Sequence, residues 1–193
     1  MKIIYDIDDT LWGLNARIAK FTKVDINRIT KFAVKEIEGL SDVEKETIIK
    51  QYANTKMFQN IEWYKGVSDI TKPEKLGAKI YIKSNSMNDE ISRLKREQLK
   101  EVVCISDDRI QFNNISVSSC KHKVLDNDMD IFVDDSPHNV ALSHAKINIM
   151  IKCPWNITEE SKQIMKDKNV LWFDTLEEVN DYIYNYVLEN IKQ

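Results

Sequence analysis

Glycine and proline are scarce in this 193-residue chain: four Gly and three Pro leave little room for long flexible linkers. Cysteine is as sparse. Cys104, Cys120 and Cys153 are odd in number and far apart, which argues against a disulfide framework and makes the reducing cytoplasm the expected location. No apolar run approaches the length of a membrane span, and the first residues lack the basic start and long apolar stretch of a signal peptide, so no membrane partner is expected. Charge of one sign is lacking too. The net charge is -3, with Lys and Glu mixed along the chain, whereas a dedicated nucleic-acid binder would show a basic face. What remains has the composition of a soluble globular protein, long enough for one substantial core and a small accessory unit.

The informative stretch is the first twelve residues, MKIIYDIDDTLW. Ile3-Ile4-Tyr5 reads as a buried strand. Asp6, Asp8 and Asp9 follow at its carboxyl end, where open α/β sheets bind ligands. Carboxylates grouped this closely repel one another. One reading is a solvated acidic turn. The other is a site for a hard divalent cation such as Mg²⁺. A calcium loop of the EF-hand kind is excluded, because Leu11 and Arg17 stand where it needs Gly and Glu.

From Leu14 to about Gln59 apolar residues recur at helical spacing, so two to four inserted helices are expected. Asp25 reads as an N-cap, Gly39 as a helix stop, and Ser41 to Glu44 as a capping box. A further helix is expected over Val67 to Leu76, stopped by Gly77. Lys79 to Lys83 reads as a second strand, running into Ser84-Asn85-Ser86 and a helix opened by Asn88-Asp89-Glu90. Ser84 or Ser86 is either a helix cap or a phosphate ligand beside the helix N-terminus. Glu101 to Ile105 reads as a third strand, and Arg109 to Phe112 with Ile115 to Val117 as a hairpin turning at Asn113-Asn114. Cys120 and His122 lack a second pair at zinc-ligand spacing. Asp130 to Asp135 repeats the opening pattern, a short strand ending in paired carboxylates. Strands at Ile147 to Ile151 and Val170 to Phe173 and a helix at about Glu177 to Ile191 complete the alternation of a parallel sheet.

Two strand-end Asp pairs, a strand-end Ser and a Lys, in this order, resemble the haloacid dehalogenase superfamily of phosphatases. Its DxDx[TV] motif matches Asp6 to Thr10, its strand-end Ser or Thr matches Ser84, its Lys matches Lys123 with Lys121 a rival, and its acidic pair matches Asp134-Asp135. The resemblance implies an α/β fold, a three-layer α/β/α sandwich with a mostly parallel, Rossmann-like sheet. Residues 1–13 and 67–193 would form the core and residues 14–66 a helical cap. Within that superfamily the chain looks most like the 5'(3')-deoxyribonucleotidases, through Met57-Phe58 to Gly66-Val67, Ile82 to Ser86, Lys123 to Asp135 and Pro154-Trp155-Asn156. It departs from them at Glu62-Trp63-Tyr64 and at Ser86, where the relatives have Pro.

The activity implied is a Mg²⁺-dependent phosphomonoester hydrolase. Asp6 would be the nucleophile that forms an aspartyl-phosphate, and Asp8 the acid and base. Ser84, Asn85 and Lys123 would bind the phosphoryl group. Asp6, Asp8 through its backbone carbonyl, Asp134 and Asp135 would hold or hydrate the metal. Phe58 would contact the substrate, a deoxynucleoside monophosphate. Thr10 is expected to bond locally to the backbone. Three alternatives stand beside this: another small phosphorylated metabolite, a nucleic-acid end, and an inactive phosphate-binding regulator. The expected partners are the small phosphomonoester and, as an allowed arrangement, a second copy in a homodimer.

Overall fold

A computed structural model describes residues 1–31, 33–115, 128–166 and 168–190. In chain order they form β1 (Lys2–Tyr5), α1 (Leu14–Thr22), 3₁₀ turns at Ile26–Arg28 and Val34–Glu36, α2 (Asp42–Gln51) and a 3₁₀ turn at Thr55–Phe58. A 3₁₀ helix, Val67–Leu76, leads into β2 (Lys79–Ser86), α3 (Asp89–Val102) and β3 (Ile110–Asn114). Then come β4 (Ile131–Val133), α4 (Pro137–Leu142), β5 (Ile147–Ile151), α5 (Glu159–Ile164), β6 (Val170–Phe173) and α6 (Leu176–Asn190).

The six strands make one sheet in the order β3-β2-β1-β4-β5-β6, with every pair parallel. Alternation along each strand divides its side chains between two faces. Ile3, Tyr5, Ile80, Ile82, Ile131 and Val133 belong to the larger core, which α3, α6 and the Val67–Leu76 helix cover with Ile91, Leu99, Val179, Ile183, Val67 and Ile70. Ile4, Phe132 and Met150 face the other way, against Val140 of α4 and Met165 just after α5. Helices on both faces of a parallel sheet give the three-layer α/β fold. The chain runs outward from β1 through β2 to β3, then returns to the other side of β1 for β4. This change of direction opens a crevice at the carboxyl ends of β1 and β4.

Local signals explain several elements. Ser41 and Glu44 form the reciprocal capping box of α2, and the Asn88 side chain accepts from Ile91 N–H at 2.9 Å to start α3. Gly66 lies in the left-handed region at φ +90°, and a Cβ there would stand 3.1 Å from Asn180 and Glu177 of α6. The Asn180 amide uses that close approach to donate to the Gly66 carbonyl at 2.8 Å.

Three expectations are corrected. Glu101 and Val102 end α3 rather than begin a strand, and Val103 N–H caps that helix on the Leu99 carbonyl at 2.8 Å. Val103 and Ile105 are β-branched because they are buried in the larger core, not because they pair. The turn expected at Asn113-Asn114 is also absent: both residues continue β3 in register with Asn85 and Ser86, and the Asn113 amide donates to the Asn85 side chain at 3.2 Å, while residues 116 and 117 of the expected second strand lie outside the described residues. The helix expected before Gly39 is reduced to the two 3₁₀ turns, while Arg28 bonds the Gly39 carbonyl and the Glu44 carboxylate.

Candidate active site

Sheet register assembles the acidic residues. Tyr5 is aligned with Val133 on one side and Ile82 on the other, so the next residues, Asp6 and Asp134, emerge together. Asp6 N–H donates to the Val133 carbonyl (2.9 Å) and Asp134 N–H to that of Ile149 (3.1 Å), which carries the ladder one step past the strands. Ser84 lies two residues beyond Ile82, still within β2.

Asp6, Asp134 and Asp135 are buried, and one carboxylate oxygen from each lies within 4.8 Å of the others. Asp134 is clamped by the Ser136 N–H (2.8 Å) and by the Asn139 amide, 3.1 Å from each of its oxygens. Asp135 accepts from the Trp155 indole at 2.8 Å. Asn156 fixes the backbone beneath it, donating to the carbonyls of Asp135 (3.0 Å) and Ile151 (2.9 Å). Burial pushes the Asp135 carboxyl well above the usual range, and Asp9, Asp134 and Asp6 add to this, while the Trp155 bond opposes it. Buried like charges held by fixed donors suit a cation. An all-oxygen donor set suits a hard one, Mg²⁺ before zinc or copper.

Asp8 takes a separate path. Its carboxylate accepts from the Trp12 indole (3.0 Å) on one oxygen and from the Lys95 ammonium on the other. It is not among the three clustered carboxylates. Burial raises its pKa, the Lys95 charge opposes the rise, and the neighbouring Asp6 adds to it. Lys95 projects from α3, is only 1% exposed, and also donates to the Asn85 carbonyl at 3.0 Å. Its ammonium stands 5.0 Å from the centre of the Phe58 ring. The Gln98 side chain positions Phe58, donating to its carbonyl at 2.5 Å and accepting from Ile61 N–H at 2.6 Å.

Asp9 departs from both groups. It is in the left-handed conformation, φ 56°, which a short polar side chain tolerates. Its carboxylate accepts from Asn15 N–H at 2.9 Å, and the Asn15 side chain in turn accepts from the hydroxyl of Tyr52, just after α2. The Thr10 hydroxyl is buried and bonds to nothing among the described residues, contrary to the expected backbone bond.

A cavity of about 320 Å³ joins these parts. Asp6, Asp8, Asp135, Ser84, Asn85 and Lys95 line its polar end, and Phe58, Leu14, Ile49, Met87 and Ile91 its apolar side. The Ser84 hydroxyl points at its own neighbour, the Asn85 carbonyl, at a long 3.4 Å. The helix cap is Asn88, not Ser84 or Ser86.

The structure therefore brings together Asp6, Asp8, Phe58, Ser84, Asn85 and Asp135 around one cavity, with Asp134 behind Asp6. Lys121 and Lys123 lie outside the described residues. Lys95 escaped the sequence reading, although a signal was there: Ile91, Lys95 and Leu99 are spaced four apart on the buried stripe of α3. Asn139 carries no such signal in the sequence.

No protein-family model matches this sequence, and no curated protein matches it. Solved structures do match. A protein assigned as β-phosphoglucomutase from Bacteroides vulgatus covers 100% of this chain and 90% of its own, with a TM-score of 0.55 at 11% identity. A haloacid dehalogenase-like hydrolase from Xanthomonas campestris covers 100% and 98%, with a TM-score of 0.55 at 10% identity. One described as a haloacid dehalogenase-like hydrolase from Bacteroides fragilis covers 92% and 98%, with 0.54 at 15% identity. At these identities the likeness is one of architecture: the chain is built on the fold of haloacid dehalogenase-like hydrolases.

Proposed function

We propose that this chain is a Mg²⁺-dependent phosphomonoester hydrolase working through an aspartyl-phosphate, with a deoxynucleoside monophosphate as substrate. The observation that carries the reading is the buried Asp6–Asp134–Asp135 cluster opening onto a cavity that also holds Ser84 and Asp8. Asp6, Asp134, Asp135 and the Asp8 carbonyl would hold the cation. Bound there, Mg²⁺ supplies positive charge that offsets repulsion between a carboxylate and a phosphate dianion.

The chain's own groups divide the remaining work. Asp6 is the nucleophile: its oxygen attacks phosphorus, which splits one displacement into two. Asp8 gives a proton to the leaving alkoxide and then takes one from water. Ser84 and Asn85 orient phosphoryl oxygens from the end of β2. Lys123, or Lys121, is assigned the remaining phosphoryl charge on the motif alone. Phe58 and the apolar wall accept the base and sugar. Residues 14–66 act as a cap over a core of residues 1–13 and 67–193. That division is supported by the Tyr64 N–H bond to the Leu11 carbonyl (2.8 Å), which brings the two ends of the helical segment side by side. The reading entails a small-molecule partner, cytoplasmic location and no nucleic-acid or membrane partner, and it allows a homodimer. No helix among the described residues is long and apolar enough to cross a membrane.

The test is phosphate release from dUMP, dTMP, ribonucleotides, sugar phosphates and phosphopeptides, with and without Mg²⁺. Asp6→Asn is expected to abolish release while leaving the fold intact, and near-normal turnover in that variant refutes the assignment. A preference for sugar phosphates removes the nucleotidase reading and keeps the phosphatase one.

A further inference from the structure

We propose that Lys95 is a positioning residue for the proton-transfer carboxylate of Asp8; this rests on the phosphatase reading above. A lysine in the middle of a buried helical stripe is costly without partners, and an apolar residue would serve packing better there. Lys95 lies between Ile91 and Leu99, both fully buried, and aims its ammonium into the cavity. Its contacts are directed: the Asp8 carboxylate, the Asn85 carbonyl at 3.0 Å, and the Phe58 ring face.

Asp8 is held from two sides. Lys95 takes one oxygen and the Trp12 indole the other, at 3.0 Å. Trp12 meets Phe58 edge to face, with ring centres 5.8 Å apart, and Phe58 in turn covers the Lys95 ammonium. Trp12, Phe58 and Lys95 thus form a collar that fixes the plane of the Asp8 carboxyl, so rotating it breaks both bonds. During phosphoryl transfer the Asp6–phosphorus bond forms as the ester P–O bond breaks. The Asp8 proton goes to the departing oxygen, and a carboxylate remains. Lys95 holds that carboxylate in place. Its effect falls on proton transfer to the leaving group, not on attack at phosphorus.

Leaving groups separate this role from a structural one. The p-nitrophenolate group departs without a proton; the deoxyribose alkoxide of dUMP needs one. In single-turnover experiments with Mg²⁺, Lys95→Met is expected to slow the cleavage of dUMP about 100-fold, the scale of lost general-acid catalysis. It should change release of p-nitrophenolate from p-nitrophenyl phosphate by less than about threefold, since no proton transfer is required. In an Asp8→Asn background the same change should have no further effect on dUMP. Equal slowing of both substrates, no slowing of dUMP, or an undiminished effect without Asp8 overturns the proposal. Should Lys95→Met fail to fold, Lys95→Gln is read by the same criteria. An inactive wild-type enzyme takes down the phosphatase reading and this proposal together, whereas an active one with uniform loss takes down Lys95 alone.

Discussion

Replacing Asp135 by Asn tests whether the acidic cluster is a cation site, without relying on turnover. The three carboxylates approach within 4.8 Å. At an effective dielectric of about 20, two ionised groups that far apart repel by about 3 kcal/mol. Asp135 has two such neighbours, and burial raises its pKa further. Partial protonation relieves some of this, so the net penalty in the metal-free protein is smaller than the pairwise sum. Asn keeps an oxygen for the Trp155 indole and removes the charge. Metal-free Asp135→Asn should therefore melt higher than wild type, by about 2–4 °C for each kcal/mol relieved in a chain of this length. Wild type should gain from the cation what the variant gains from neutrality. At a Mg²⁺ concentration 100 times its dissociation constant the stabilisation is about 2.7 kcal/mol, which is roughly 5–10 °C. The variant should lose most of that shift.

The pH dependence has a definite sign. Asp8, Asp9 and Asp135 all have carboxyls raised in the folded chain, chiefly by burial. Each binds its proton more tightly when folded, so its contribution is fully present below the ordinary carboxylate range. It is lost as pH rises through the raised folded values. Metal-free stability should thus decline from about pH 4 toward neutrality, and the Mg²⁺ shift should grow over the same interval. Calorimetry at matched ionic strength reads both. A wild type insensitive to Mg²⁺, or a metal-free Asp135→Asn that melts no higher than wild type, refutes the reasoning.

Asn139→Ala removes the amide that clamps both oxygens of Asp134, and should weaken Mg²⁺ binding by about 10- to 100-fold in a titration followed by melting temperature. Ser84→Ala should lower turnover by about 100- to 1000-fold with little change in melting, because among the described residues its hydroxyl makes only the long bond to the Asn85 carbonyl. Ser41→Ala breaks the capping box of α2 and should cost about 0.5–2 kcal/mol in urea unfolding, leaving the Mg²⁺ shift unchanged.

Where sequence and structure agree, a strong local rule was at work. The strands at Ile3, Ile80, Ile131, Ile147 and Val170 are short apolar runs bounded by polar residues, and all pair as parallel neighbours. The grouping of Asp6 and Asp134-Asp135 was legible because each directly follows a short apolar strand, whereas Ser84, expected just past its strand, lies within β2. Legibility ended where tertiary burial imitated a strand, as at Val103 and Ile105. It ended again at Asn113-Asn114, where residues that favour turns instead extend β3 through amide pairing with Asn85. Lys95 was hidden for another reason. Its partner Asp8 is 87 positions away, and nothing local in a Lys-rich helix marks one lysine as buried except its place between Ile91 and Leu99.

The three carboxylates of the opening acidic stretch diverge. Asp6 closes the ladder of β1 and turns to Asp134 and Asp135. Asp8 is drawn toward Trp12 and Lys95 of α3. Asp9, through its left-handed backbone, turns back to the first turn of α1, where Asn15 passes the contact to Tyr52 at the end of α2. Four residues, Asp6 to Asp9, therefore reach the buried acidic cluster, Lys95 of α3 and the helical segment. The Tyr52–Asn15–Asp9 contacts thus tie the helical segment to a residue next to Asp8 and three from Asp6.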